Sequence, residues 1–369
     1  MKLQRLHIVE QYLSWQGHYK QYFENLISEK YNYIYCAAEK GEYPNATYLK
    51  SFYNNSRSKG FVNFVLSRFI DSFKAYRQVA TGNSGLVHLI EFEPLSFYYF
   101  IITKGKRIPP LIITIHSIEQ MTYASFVKNA VSKFQRRIYR AMLKRLAERD
   151  TKFVVHYQHH KRQLIESIGA QYATNITVIN YPCPEVVVNT EIGLKAKSKQ
   201  LLIYGQIRED KGIFEFLSNP QTSELKITLA GKIVDERILT LKLPNLTLIN
   251  RFIPESELEG IVSTHDFMVL PYPTTYSGGA GTLKDSLSFG LPVLATNIPI
   301  FFEVISEGQV GFIWENVDGL LKYLDEVSEK DMTVLRQNAL KYAERYNWKY
   351  MKKEYFKIYE SLLEFNKKP

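Results

Sequence analysis

Two short stretches combine the residue types that neutralise a diphosphate. The first is Gly205-Gln206-Ile207-Arg208-Glu209-Asp210-Lys211-Gly212, set between an apolar run, Leu201-Leu202-Ile203-Tyr204, and helix-competent sequence from Ile213. Arg208 can fork onto phosphate oxygens, and Lys211 adds a compact positive charge. Such a pair suits a leaving group on which negative charge grows in the transition state. An ordinary charged surface loop has the same composition. The second stretch is Ser277-Gly278-Gly279-Ala280-Gly281-Thr282, between the apolar run Phe267-Met268-Val269-Leu270 and a helix read from Leu283 to Phe289. Small residues there bare the backbone N–H groups, and the helix start adds its dipole, so an anion is favoured. A flexible turn is the competing reading.

The first half of the chain offers groups of another kind. Gly17-His18 sits where the chain turns into a helix, and a glycine there lets a ligand or another backbone approach closely. His18 can touch an acceptor or cap and pack the helix. Glu91 and Glu93 follow the buried run from Gly85 to Ile90, at the strand end where open α/β sheets bind ligands. They are candidates for acceptor binding or general base work, against solvent-facing loop carboxylates, the stronger reading for Glu93. His116 leaves the strand-like run from Pro110 to Ile115 and can donate to a sugar hydroxyl, act as acid or base, or be a satisfied structural histidine.

These groups need a scaffold of strands and helices in alternation. Strands are expected at Leu6–Val9, Tyr33–Ala37, 85–90, 110–115, Lys152–Val155, Ile176–Ile179, 201–204, 227–231, Leu246–Ile249, 267–270 and 293–296. Helices are expected at Tyr19–Ser28, Phe61–Val79, Lys133–Arg149, His156–Ser167, Ser256–Ser263, Leu283–Phe289 and, with a break near Asn347, from about Asp318 to Phe365. Residues 42–60 read as a loop, and the polar stretch 185–199 reads as an interdomain linker. With 369 residues, two domains are the natural prior.

Cys36 and Cys183 are too few and too isolated for a disulfide framework or a metal site. MKLQRLHIVEQYL lacks the apolar core and cleavage site of a signal peptide, and no apolar run approaches bilayer length. A cytoplasmic location is therefore expected. The net charge of +10 is uneven: residues 1–190 hold 25 Lys and Arg against 13 Asp and Glu, leaving 22 against 24 for the rest. The first half is thus expected to face something anionic, unless the excess only aids solubility. The segment Lys133–Arg149 carries seven basic residues and one acid, with Phe134, Ile138, Met142 and Leu146 at helical spacing. The apolar stripe is expected to pack on its own domain. The basic face can steer the domain to the inner face of a membrane. No recognised nucleic-acid module is present, so no nucleic-acid partner is expected.

Several segments, in order, resemble the family-four-like (group 1) glycosyltransferases of the GT-B fold, in an exopolysaccharide-type variant. GQIREDKG is similar to the family's donor loop, and NRFIPESEL to the segment that receives the nucleotide base. HDFMVLPY, KDSLSFGLPVLAT and YNWKYMKKEY are similar to its strand, its helix–strand unit and its terminal crossover helix. The resemblance implies an α/β chain of two Rossmann-like domains with a deep interdomain cleft. Residues 1–190 would bind the acceptor and 200–348 the donor, with a helix at about 349–369 packing back on the first domain.

It further implies that Gly205, Arg208, Lys211, Ser277, Gly278, Gly279, Gly281, Thr282 and Leu283 bind the donor, with Arg208, Lys211 and the backbone amides around Gly278, Gly279 and Gly281 at its diphosphate. Arg251 and Ile253 would lie at the base, and Asp285 at the ribose hydroxyls. Ser277 replaces the glutamate that contacts the donor sugar in relatives, and Gln206 replaces an arginine, for which Arg208 can substitute. Gly17 and His18 would meet the acceptor; Glu91, Glu93 or His116 would supply a base if transfer inverted. The expected activity is transfer of a sugar from a nucleoside-diphosphate sugar to a glycan or lipid-linked acceptor, retaining, with no metal or other cofactor. A sugar-nucleotide epimerase of the same fold and a non-catalytic scaffold are the alternatives.

Overall fold

Apolar runs bounded by glycine and proline become central strands because parallel sheets bury both faces. The structure, a computed structural model, describes residues 6–15, 17–53, 61–81, 85–104, 109–116, 130–186, 199–276 and 281–365. The chain divides into two units, residues 1–180 with 351–369, and residues 181–350.

Among the described residues the first unit holds seven strands: β1 (Leu6–Glu10), β2 (Asn32–Ala37), β3 (Ala46–Lys50), β4 (Leu86–Leu89), β5 (Leu111–Ile115), β6 (Lys152–Val155) and β7 (Ile176–Val178). They form one parallel sheet in the order β3-β2-β1-β4-β5-β6-β7. Its helices are α1 (Tyr19–Asn25), α2 (Phe61–Thr81), α3 (Pro94–Lys104), α4 (Ala130–Ala147) and α5 (Gln158–Ile168). Strand order reverses between β1 and β4, which leaves a crevice at their carboxyl ends. The core joins β4, β5 and β6 to α2, α3, α4 and α5, with Val87, Ile113, Phe153, Tyr76, Phe97, Leu143 and Leu164 buried.

The second unit holds β8 (Gln200–Tyr204), β9 (Lys226–Ala230), β10 (Leu246–Ile249), β11 (Phe267–Leu270), β12 (Val293–Thr296) and β13 (Gly311–Trp314), again all parallel. The order is β10-β9-β8-β11-β12-β13, so the reversal falls between β8 and β11. Helices α6 (Ile213–Leu217), α7 (Glu255–Val262), α8 (Gly281–Ser288), α9 (Pro299–Gly308), α10 (Val317–Glu326) and α11 (Glu329–Arg345) complete it.

The last helix, α12 (Trp348–Phe365), belongs to the first unit from Met351 onward. It docks there through a polar seam inside an apolar face. Buried His88 on β4 pairs its Nδ1 with Tyr359 Oη at 2.6 Å and its Nε2 with Thr114 Oγ1 at 2.8 Å. Tyr355 Oη meets the same Thr114 Oγ1 at 2.6 Å and Tyr22 Oη at 2.7 Å.

The structure departs from expectation at several elements. Residues 46–50, expected in a loop, form the edge strand β3, half-exposed and entered through Asn45 at φ 54°. Helix α3, read as nothing regular, starts at Pro94 and is apolar almost all round, so it shows no helical period. Glu93 is no loop carboxylate. It is buried, and its oxygens accept from the N–H groups of Ser96 at 2.6 Å and Leu95 at 3.3 Å, capping α3. Helix α1 ends at Asn25, three residues early, and α9 and β13 form where no regular element is expected. Most of the expected linker, 187–198, lies outside the described residues.

Candidate active site

In the second unit the site grows from the strand ends that flank the reversal. Gly205 leaves β8 at φ 102°, in a region that disfavours side chains. A Cβ added to Gly205 would stand 2.8 Å from Thr282 Cγ2 and 3.7 Å from Lys211 Nζ. The loop closes at Gly212, φ 65°, where a Cβ would stand 2.5 Å from the carbonyl oxygen of Pro271. The two glycines therefore let the loop after β8 lie directly on the loop after β11. Thr296 Oγ1 donates to the carbonyl of Tyr272 at 2.6 Å and fixes that second loop.

Lys211 is buried at this junction, its Nζ 5.5 Å from the centre of the Tyr272 ring. Burial, helped by the nearby Arg208 charge and opposed by Asp210, brings its ammonium down to about 8. Arg208 is more exposed and holds Asp210 in a two-pronged pair, Nε to Oδ1 at 2.9 Å and Nη2 to Oδ2 at 2.8 Å. Helix α8 begins at Gly281, its Thr282 lies against the loop after β8, and its first N–H groups have no partner within the helix. Such an arrangement of buried ammonium, guanidinium and helix start can hold a diphosphate.

The other expected donor residues are distributed as follows. Ser277, Gly278 and Gly279 lie outside the described residues. Leu283 is wholly buried, so its side chain is core and only its backbone faces the helix start. Asp285 is half-buried on α8, and its charge reaches the Cys183 thiol. Arg251 follows β10 and is held by Glu257 in an exposed pair; Ile253 is buried in the core. Between them Phe252 is 79% exposed, an apolar ring at a strand end that sequence reading passed over.

In the first unit His18, Glu91 and His116 converge, while Glu93 stays at the start of α3. Glu10 ends β1, Glu91 follows β4, His116 follows β5, and His156 follows β6; His18 stands at the start of α1. Glu91 Oε1 lies 2.8 Å from His18 Nε2 and 3.2 Å from His116 Nε2. His116 Nδ1 lies 2.9 Å from His156 Nε2, and His156 Nδ1 lies 2.9 Å from the carbonyl of Ile179. Burial, then the neighbouring His18 and His156 rings, hold His116 well below the ordinary histidine value. Gln11 Nε2 donates to the Glu91 carbonyl at 2.7 Å and steadies this loop. Gly17, at φ 128°, supplies the bend that brings His18 in.

Two residues here escaped the sequence reading. His156 had the same signal as His116, a histidine just past a buried strand, but read as the start of α5. Glu10 is wholly buried, and burial followed by the Glu91 charge pushes its carboxyl well above the usual range. Its Oε1 accepts from the Tyr12 N–H at 2.7 Å.

Residues 188–346 match the family described as glycosyl transferases group 1. No curated protein matches the chain in sequence. Among solved structures it is similar to sucrose-phosphate synthase from Thermosynechococcus elongatus, with TM-score 0.70, 13% identity, and 97% and 98% of the two chains covered. It is similar to Anabaena HepE in complex with UDP-glucose, with TM-score 0.66, 13% identity and coverage of 96% and 99%. It is also similar to WaaG, a glycosyltransferase involved in lipopolysaccharide biosynthesis, with TM-score 0.63, 14% identity and coverage of 96% and 99%. The chain therefore shares the fold of these structures, and its residues 188–346 carry the match to group 1 glycosyl transferases.

Proposed function

We propose that this enzyme transfers a sugar from a nucleoside-diphosphate sugar to a glycan or lipid-linked acceptor in polysaccharide or glycoconjugate synthesis. The observation that carries the reading is the buried ammonium of Lys211 against Gly205 and Thr282, at the strand reversal of the group 1 domain. A cation there offsets the diphosphate as it leaves. Arg208, Lys211 and the start of α8 give enough positive character to bind the donor diphosphate without a metal ion. Retention of anomeric configuration goes with that reading. The known complex of HepE makes UDP-sugars the first donors to try. Calorimetry against a panel of sugar nucleotides tests it: one should bind, and Lys211→Ala should abolish binding. A panel that leaves the wild type unbound would sink the proposal.

The first unit would take the acceptor, with Glu91, His116 and His18 at its hydroxyl and Gly17 giving room. Contact with an anionic membrane is part of the same proposal. Tyr139, Met142, Leu143 and Leu146 of α4 are buried in the unit's own core, while Arg137, Arg140, Lys144, Arg145 and Arg149 are exposed. Beside them Tyr98, Tyr99 and Ile102 of α3 are exposed, and a groove of about 530 Å³ runs between the two helices. No helix among the described residues is long and apolar enough to cross a membrane. Arg140→Glu with Lys144→Glu should release the protein from phosphatidylglycerol vesicles at low salt. Equal binding by wild type and variant would remove the membrane from the proposal.

A further inference from the structure

The tautomers of His156 and His116 follow from their partners. The Ile179 carbonyl can only accept, so His156 Nδ1 carries a proton and donates to it at 2.9 Å. The Nε2 of a neutral His156 is then a lone pair. At 2.9 Å from His116 Nδ1 it must accept the proton carried there. The remaining nitrogen, His116 Nε2, is left a lone pair in the neutral ring. It nevertheless faces two oxygens that accept, Ile90 O at 3.1 Å and Glu91 Oε1 at 3.2 Å. Lone pairs brought this close need a proton or a metal cation among them.

We propose that His18 Nε2, Glu91 Oε1 and His116 Nε2 bind one divalent metal ion of the zinc class. The three atoms lie within 4.8 Å of one another. Two imidazoles and a carboxylate form a three-ligand set of the kind that leaves a fourth position for water or a hydroxyl oxygen. His156 takes the outer role, holding the His116 ring and its tautomer through the Nδ1 hydrogen bond. The ligands stand on rigid elements: the ends of β4 and β5 and the start of α1. A proton on His116 would fill the same gap, at the cost of a buried imidazolium against two further histidines. The three ligands all belong to the first unit and the donor loops to the second, and the inference stands whether or not the donor reading holds.

The test uses the full chain, purified without a histidine tag and stripped with a chelator, then titrated with Zn²⁺ in a calorimeter and with Co²⁺ in a spectrophotometer. One equivalent should bind. His18→Ala and Glu91→Gln should abolish that equivalent, and His156→Ala should weaken it by about 10- to 100-fold. Failure of the wild type to bind either ion, or undiminished binding by His18→Ala and Glu91→Gln, would overturn the proposal. If a variant does not fold, the wild-type cobalt spectrum decides. Tetrahedral bands without thiolate charge transfer support the site, and a six-coordinate aquo-type spectrum overturns it.

Discussion

Thr282 Cγ2 stands 2.8 Å from the point where a Cβ on Gly205 would sit, and Lys211 Nζ stands 3.7 Å from it. The loop after β8 therefore has no room for even a methyl group, on a backbone at φ 102° that a side chain would strain. Gly205→Ala should cost roughly 1–3 kcal/mol of stability from backbone strain. It should also lower sugar-nucleotide affinity by about tenfold or more, since about 1.4 kcal/mol of lost contact suffices. Denaturant unfolding and calorimetry read the two effects separately. Affinity within twofold of wild type would show that the diphosphate binds elsewhere.

Lys211 makes donor binding sensitive to alkali. Its ammonium titrates at about 8 because it is buried and close to Arg208. Below that value the charge is present and favours the anion; above it the charge is lost. Donor affinity should fall as pH rises through about 8, and Lys211→Met should bind weakly with a flat profile over the same range. A wild-type profile as flat as the variant's would refute the assignment.

Arg208 is held by Asp210 and must exchange that partner for phosphate. An exposed pair of this kind contributes about 0–1 kcal/mol. Asp210→Asn should release the guanidinium and tighten sugar-nucleotide binding by up to about fivefold, with Arg208→Ala moving it the other way. Weaker binding in Asp210→Asn would mean that the carboxylate itself contacts the ligand.

His88 links stability to acid. Burial lowers its value from 6.5 to about 3 in the folded chain. Its unfolded state thus binds the proton first, so stability is fully present above 6.5 and is lost as pH falls toward 3. Unfolding midpoints at pH about 7 and about 5 should therefore differ more for wild type than for His88→Gln. The variant itself should be weakened by about 1–3 kcal/mol through the partners left at Tyr359 and Thr114. Equal acid sensitivity in both proteins would place the titration on other groups.

Most of the sheet was legible because parallel strands read as unbroken apolar runs, as in Leu111–Ile115 and Phe267–Leu270. Strand β3 was not, since an edge strand buries little and its residues alternate only partly. Helix α3 hid for the opposite reason: apolar on nearly every side, it carries no period to detect. In the candidate sites, Lys211 and Gly205 were visible as a charged glycine loop, and the structure adds that Asp210 engages Arg208. His18, Glu91 and His116 were each noticed alone. That one carboxylate oxygen would touch two of the histidines depends on strand order, which spacing along the chain does not encode.

The first unit is written in two pieces, residues 1–180 and 351–369, and Tyr355 and Tyr359 of the second piece satisfy Tyr22, His88 and Thr114 of the first. During synthesis the amino-terminal sheet emerges long before these partners exist. Its buried polar groups lack these partners until Tyr355 and Tyr359 have been made. A chain cut anywhere in the second unit therefore leaves the first unit unfinished too, although the cut lies outside residues 1–180.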